Sequence, residues 1–289
     1  MEYFSDQQRG KREAFREDIS DQVWRGILSH INALIDNGAF GESFPEICID
    51  GPVVFGSCKS AFSDACRAEI PRLPEDWDID KPDTLDLLDL IQFCFKNISK
   101  PSRHDYHDYF KHYHLTFNRQ EGQETFLGQI NQIFERNGIV FRLQSDGSII
   151  RTLPPEFNQL LDASKTGNER GFDDLLNDAK AKIIRPDPRV RKEGLERLWD
   201  AWECLKTLEE GNGKKEQITK LLDKAASSQE FRGLLEVEAK ALTEIGNKYR
   251  IRHFEQGKIE ISDPRQIDYL FFRMLSMINL LLKARSGTP

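Results

Sequence analysis

Cysteine is scarce in this 289-residue chain, and its spacing excludes the common cysteine-based frameworks. There are five cysteines, an odd number, and no two of them form a CxxC pair. Scattered thiols of this kind are typical of a reducing compartment, where cysteine serves as a small buried apolar residue. We therefore expect reduced thiols in a cytoplasmic protein.

Long apolar runs and an excess of positive charge are also missing. The first 16 residues are polar and charged, unlike a secretory signal, and no apolar stretch approaches the roughly 20 residues of a membrane span. The net charge is −7 and the pI is about 5.5, which argues against a protein that coats nucleic acid non-specifically. Action on RNA would require cations concentrated at one site. We expect no membrane partner.

Phosphate-binding and repeat signatures are absent too. The glycines of residues 41–56 lack the GxxxxGK[ST] spacing of a phosphate loop, and the segment is predicted to be a loop with at most a short strand at 53–55. No internal repeat or low-complexity tract is present. We expect no cofactor.

The N-terminal half combines helical patterns with one hairpin pattern. Apolar residues recur at helical spacing in four segments, residues 19–35, 60–70, 83–98 and 123–137. The β-rich segments 139–143 and 149–153 flank the turn Ser145-Asp146-Gly147, which predicts a β-hairpin. A helix followed by two strands is wing-like, as in winged-helix proteins that contact nucleic acid. The alternative is a hairpin that packs over the helices.

Histidine is concentrated in one segment of this half. Among three tyrosines stand His104, His107, His112 and His114. Imidazole is the commonest transition-metal ligand, but the segment has neither HExxH spacing nor a nearby cysteine pair, so we expect no metal. An aromatic surface that packs the segment onto the domain is expected instead. A ligand-recognition surface and a metal enzyme are the alternatives.

The C-terminal half is helical throughout. Helical patterns cover five segments, residues 172–184, 189–210, 218–226, 231–252 and 267–282. Short connections predict an antiparallel helical bundle. The expected domains are therefore 1–165 and 172–289, and the fold class is mainly α. The last helix is apolar around most of its circumference, which predicts a central bundle helix, or one that forms a dimer interface as well.

A second group of polar residues stands at the end of the fourth of these helices. If that helix runs unbroken to residue 253, Asn247, Arg250 and His253 form a ridge at successive steps of three. The imidazole can move a proton near neutral pH, and Arg250 and Arg252 offer planar donors to a phosphate. The alternative is that His253 caps the last-turn carbonyls while the arginines pair with acids.

These groups fit metal-independent RNA cleavage. In that reaction a ribose 2′-hydroxyl attacks its own phosphate, a base takes the proton, and cations stabilise the charge that develops on the phosphoryl oxygens. Because His253 is the only histidine after residue 114, one chain lacks separate imidazoles for base and acid. A two-fold dimer would bring two copies together.

Both halves resemble abortive-infection proteins. The N-terminal half, through residues 3–6 (YFSD), 24–27 (WRGI) and 106–117 (YHDYFKHYHLTF), resembles one of the N-terminal domains of AbiJ-type abortive-infection proteins. The C-terminal half, through residues 242–247 (LTEIGN) and 251–253 (IRH), resembles the abortive-infection C-terminal domain, a divergent member of the HEPN superfamily. The resemblance implies a helical bundle that dimerises, prokaryotic phage defence and RNase toxicity.

The resemblance also implies roles for individual residues. The family's catalytic motif is an arginine, a polar residue, a few further residues and then a histidine. Asn247 and His253 match the last two, whereas Gly246 stands at the arginine position, and Arg250 or Arg252 would have to supply the cation. Lys248 and Tyr249 would then contact the substrate.

Two functions follow from this interpretation. The first is a phage-defence effector that cleaves RNA as a homodimer. The second is a non-catalytic RNA- or protein-binding defence component in which the HEPN-like domain serves dimerisation. A phage trigger or an antitoxin would be a further partner in either case.

Overall fold

The chain forms two compact units, one ending at Thr152 and the other beginning at Leu153, each with its own hydrophobic core. The computed structural model describes residues 3–10, 14–77, 79–164, 169–249, 251 and 259–286. Within these ranges no helix combines the length and the apolar character that a membrane crossing requires. The domain bounds expected from the sequence, 1–165 and 172–289, remain a prediction.

The described part of the first unit contains five helices and three antiparallel strand pairs. The helices are α1 (Phe4–Arg9), α2 (Asp21–Asp36), α3 (Lys59–Glu69), α4 (Thr84–Asn97) and α5 (Arg119–Asn137). The strands, each paired with its neighbour in sequence, are β1 (Pro45–Ile47), β2 (Val54–Ser57), β3 (Lys100–His107), β4 (His112–Asn118), β5 (Phe141–Leu143) and β6 (Ile149–Arg151). Helix predominates, which confirms the expected mainly α fold.

Local chemistry sets two of the helix ends in this unit. The carboxylate of Asp83 accepts hydrogen bonds from the backbone N–H groups of Leu85 and Asp86, which satisfies two donors that a helix start leaves free. Gly138 ends α5 with a φ of 65°, a conformation that glycine adopts without steric cost. The Asn137-Gly138 pair therefore marks the end of the helix in the sequence as well.

The predicted hairpin at residues 139–153 is confirmed as β5–β6. A buried side chain holds it to α5: the amide of Asn131 donates to the carbonyl oxygen of Leu143 at 2.9 Å and accepts from the backbone N–H of Leu143 at 2.9 Å. Both polar groups of Leu143 are thus satisfied inside the core. The hairpin packs against α5, in agreement with the alternative prediction of a hairpin that packs over the helices.

A second hairpin replaces the loop expected at residues 41–56. β1 and β2 pair antiparallel, and the backbone N–H of Cys48 donates to the carbonyl oxygen of Val53 at 2.9 Å across the turn. These strands have three and four residues and contain Pro45 and Gly56, so their sequence carries little β pattern. The pairing depends on packing against β4, which no local pattern reveals.

The described part of the second unit is built from six helices. They are α6 (Pro155–Ala163), α7 (Arg170–Ile183), α8 (Pro188–Leu205), α9 (Lys214–Ala225), α10 (Gln229–Lys248) and α11 (Pro264–Ser286). The N-cap expected at Ser227 or Ser228 is Ser228, whose hydroxyl accepts from the backbone N–H of Phe231 at 3.2 Å.

The apolar helix predicted near the C-terminus is the central element of this unit. Ten side chains of α11 are buried, and the helix packs against α6, α8 and α9. The amide of Asn279, on its buried surface, donates to the carbonyl oxygen of Leu160 in α6 at 2.8 Å. The wide apolar circumference is therefore explained by cover within the unit.

Helix α10 ends earlier than the sequence pattern predicts. The pattern extends to residue 252, but the helix ends at Lys248, and Tyr249 has the extended torsions φ −91° and ψ 154°. Tyr249 forms a parallel bridge with Ile259, and Ile251 is buried in the core. The turn that buries Ile251 breaks the helix, so the predicted extension to residue 252 is wrong. The expected ridge of Asn247, Arg250 and His253 required a continuous helix and no longer follows from helical spacing.

Gly246 lies at a close crossing of α10 over α8. A Cβ atom placed on Gly246 would lie 2.0 Å from Nε1 of Trp199, far inside contact distance. The Trp199 ring is 1% exposed and is enclosed by the core, so it has little room to move. The crossing therefore leaves no space for a side chain at position 246.

We predict opposite effects on stability for two glycine substitutions in α10, one at this crossing and one away from it. We expect Gly246→Ala to lower the free energy of unfolding by about 1–3 kcal/mol, because the added methyl overpacks the contact with Trp199. Gly233→Ala is the matched control, since no atom lies within 4 Å of its added Cβ, and a stabilisation of about 0.5–1 kcal/mol is expected from helix propensity. Chemical denaturation measures both. Equal changes in the two variants would contradict the close crossing.

Candidate functional site

Three of the six predicted site residues lie in the described structure. Asn247 and Lys248 are exposed in the last turn of α10, and Tyr249 is half-buried and packs against the core of the unit. Arg250, Arg252 and His253 lie outside the described residues. The site is therefore built from the face of α10 that carries Asn247.

A cleft of about 530 Å³ opens along that face of α10. Its walls are α9 and α10, with the C-terminal end of α8 beside them. The floor is apolar and is formed by Ile218, Leu222 and Ala239. The rim is mostly cationic and contains five basic side chains: Lys206, Lys214, Lys215, Arg232 and Lys240. Two acids, Glu236 and Glu244, are the carboxylates of the lining.

Three of the cations are held by carboxylates. Lys206 Nζ lies 2.5 Å from Glu203 Oε1, and Arg232 lies 2.5 Å from Asp223 and 3.2 Å from Glu236. Lys240 Nζ lies 2.9 Å from a Glu236 oxygen. Its hydrogen bond is the main cause of a lowered pKa at Glu236, which keeps that carboxylate ionised. These pairs cancel much of the charge of the cleft, and the pair of Arg232 with Asp223 joins α10 to α9.

Lys214 and Lys215 differ from the other cations of the rim. Both are exposed, and among the described residues neither has an ion-pair partner. They form the first turn of α9, whose N-cap Gly213 provides no side-chain cap. A helix start carries free N–H groups and a positive dipole end, so two lysines beside it form a favourable place for an anion.

Asn247 lies one turn of α10 beyond the cleft, on the same face of the helix. The lining residues Glu236, Lys240 and Thr243 recur at helical spacing, and Asn247 follows Thr243 by four residues on the same face. Thr243 is held in place by Trp202 and Lys206, whose nitrogens lie 3.4 Å from its hydroxyl oxygen. A ligand bound along the cleft would thus reach the exposed amide of Asn247.

Charge is distributed unevenly between the two units. The first unit contains 25 Asp and Glu against 17 Lys and Arg, whereas the second contains 23 against 24. The overall net charge of −7 therefore comes from the first unit. The second unit, which contains the cleft, has one more cationic than anionic residue.

Sequence reasoning missed the lysines of this cleft. It searched next to His253, whereas the cleft gathers residues from three helices. A local signal was present in Gly211-Asn212-Gly213-Lys214-Lys215, because two lysines directly after a glycine turn begin a helix with unmatched positive charge.

The four clustered histidines lie on the β3–β4 hairpin of the first unit. His107 pairs with His112 across the strands, and His104 pairs with His114. The segment expected to be a packing surface is thus a two-stranded ladder with its imidazoles on one face. Cys48, from the turn between β1 and β2, lies against that face, and sequence reasoning did not connect it with the histidines.

Comparison with known proteins identifies a family for the first part of the chain. The family model described as AbiJ N-terminal domain 4 matches residues 2–164, more than half of the chain. No curated protein and no solved structure matches the chain. The match includes the first unit and α6 of the second.

Proposed function

The chain belongs to the AbiJ N-terminal domain 4 family, and from that premise we propose that it is a prokaryotic abortive-infection protein whose C-terminal unit binds and cleaves RNA. The family supports the defence role. The cleft between α9 and α10 is the observation that carries the proposal of RNA as substrate. It combines an apolar floor and an uncapped helix start with two lysines that no carboxylate of the described chain neutralises.

The composition of the cleft favours a phosphate backbone as the ligand. Lys214 and Lys215 are point charges on flexible stems, which suit a phosphate that is bound without base selection. The apolar floor at Ile218 and Leu222 can take the face of a base or a ribose. A single strand offers both phosphates and unstacked bases to such a surface.

The proposed cleavage uses residues at the end of α10 and beyond it. A ribose 2′-hydroxyl attacks its own phosphate, His253 takes the proton, and Arg250 or Arg252 stabilises the developing charge. Asn247, exposed at the end of the cleft, orients a substrate oxygen. The sequence departs from the HEPN motif at Gly246, so these cations replace the arginine that the helix crossing excludes.

A homodimer completes the proposed reaction. The leaving 5′-oxygen needs a proton, and the partner subunit's His253 would supply it while this chain's imidazole acts as base. Helix α10 offers a surface for the second copy on the side away from the cleft. Leu234 and Val237 are 58% and 69% exposed there, one turn apart, with Ala241 one turn further on.

The first prediction from this proposed function concerns RNA affinity. We expect the double variant Lys214→Glu/Lys215→Glu to bind single-stranded RNA at least about tenfold more weakly, with a salt slope that is smaller by about 0.7 for each phosphate that the variant no longer neutralises. Fluorescence anisotropy at several salt concentrations measures both. Lys59→Glu/Lys283→Glu is the matched control, because it makes the same charge change at exposed positions outside the cleft. Equal weakening in the two double variants would contradict binding at the cleft.

The second prediction separates cleavage from binding. We expect His253→Ala to abolish RNA degradation and growth arrest when the chain is expressed, while RNA affinity changes less than about twofold. Gln256→Ala, in the same segment, is the control and should remain toxic. RNA integrity and cell growth are followed at matched protein levels. Intact toxicity in His253→Ala together with loss of toxicity in the lysine variant would identify a non-catalytic RNA-binding component.

The third prediction concerns the dimer. We expect Leu234→Asp/Val237→Asp to convert a dimer to a monomer, because two charges would be placed in an apolar contact. Light scattering after size-exclusion chromatography gives the mass. Ile79→Asp, at a residue that is 74% exposed in the first unit, should leave the dimer intact. A wild-type chain that is monomeric at cellular concentration would rule out the shared pair of histidines.

A further inference from the structure

The β3–β4 hairpin places three imidazoles on one face. His107 and His112 are directly paired across the strands, and His114 follows His112 by two residues, so all three point to the same side. Asp105 adopts a φ of 41° at a register shift in β3, and Lys111 a φ of 57° in the turn. Non-glycine residues rarely adopt positive φ, so the register shift and the turn give this hairpin an uncommon backbone conformation.

A buried thiol completes the group. Cys48 is 5% exposed and lies in the turn between β1 and β2, where its backbone N–H donates to Val53. Phe55 of β2 stacks on the ring of His112 with centroids 4.3 Å apart, which holds the two hairpins together. As a result, Cys48 Sγ lies 3.6 Å from His107 Nδ1.

The four donor atoms have nearly the spacing of a tetrahedral metal site. One ligand atom from each of Cys48, His107, His112 and His114 lies within 4.8 Å of the others. Bonds of about 2.3 Å to sulfur and about 2.0–2.1 Å to nitrogen, at tetrahedral angles, place sulfur and nitrogen about 3.6 Å apart. The distance between Cys48 and His107 equals that edge. The remaining edges, which are at most 4.8 Å long, need to contract by about 1.5 Å or less.

Two of the imidazoles in this cluster have buried nitrogens without a hydrogen-bond partner in the described chain. Nε2 of His112 and Nε2 of His114 are buried, and neither has a hydrogen-bond partner within the described chain. Burying a polar nitrogen without a partner costs about 1–3 kcal/mol.

The far side of one ring carries an orienting carboxylate. His107 directs Nδ1 towards Cys48, and its Nε2 lies 3.5 Å from Oδ2 of Asp50 in the same turn. Metal-bound imidazoles commonly donate their other N–H to a carboxylate, which fixes the tautomer and the ring orientation.

We propose that Cys48, His107, His112 and His114 bind one zinc ion that joins the β1–β2 and β3–β4 hairpins. One sulfur and three nitrogen donors in a tetrahedron suit zinc, and four protein ligands leave no open position for a substrate. The role is therefore structural. Each hairpin has only two strands, and an isolated two-stranded hairpin is marginally stable in water. On binding, the thiol releases its proton and the thiolate sulfur bonds to the metal.

The test uses the full chain, purified without a histidine tag. We expect one zinc per chain by elemental analysis, and the cobalt-substituted protein should show the visible bands of a tetrahedral site together with a sulfur-to-cobalt charge-transfer band. Cys48→Ser should lose the charge-transfer band, whereas Cys58→Ser, the control thiol of the same unit, should keep it. His112→Ala should lose the metal, and His104→Ala should retain it.

The contact between His107 and Asp50 provides a further test, in which zinc affinity is expected to fall without being abolished. Asp50→Asn should weaken zinc binding about 10–100-fold, measured by competition with a chromophoric chelator. Absence of stoichiometric zinc after incubation with zinc salt, or an unchanged cobalt spectrum in Cys48→Ser, would overturn the proposal. If Cys48→Ser fails to fold, the wild-type cobalt spectrum decides, because a tetrahedral spectrum without the charge-transfer band excludes a cysteine ligand.

Discussion

The contact between Gly246 and Trp199 constrains how α10 packs on α8 in the C-terminal unit. The backbone of α10 lies directly on the indole ring of α8, at a separation that admits no Cβ atom. This approach sets the register of the two helices, so that Thr243, one turn before Gly246, meets Trp202 and Lys206. The packing that leaves no space for a side chain at position 246 also positions one wall of the basic cleft.

The basic side chains of the cleft fall into two groups, those paired with carboxylates and those without a carboxylate partner in the described chain. Lys206, Arg232 and Lys240 are neutralised by carboxylates, whereas the charges of Lys214 and Lys215 face solvent or a ligand. Exposed ion pairs contribute little stability individually, and among these pairs only that of Arg232 with Asp223 joins two helices of the cleft. An anion entering the cleft would meet the two exposed lysines and the start of α9 first.

Sequence reasoning succeeded where local chemistry decides the structure and failed where distant contacts do. Ser228 and Gly138 mark helix ends by capping and by backbone freedom, and both were predicted. The end of α10 at Lys248 was missed, because Ile251 leaves the helical path to reach a core that only the fold assembles. The lysines of the cleft were missed for the same reason. The positions of Arg250, Arg252 and His253 stay predictions.

The histidine segment shows how far a local motif search reaches. Spacing within residues 104–114 fits no zinc motif, yet Cys48, 59 residues before His107, supplies the fourth donor. Because side chains alternate along a strand, the face opposite the histidines carries Tyr106 and Tyr113, which are paired at 4.7 Å and remain exposed. Burying Nε2 of His112 and Nε2 of His114 without a partner in the described chain is costly. A metal on the inner face would offset that cost and would hold the outer tyrosines in a fixed arrangement.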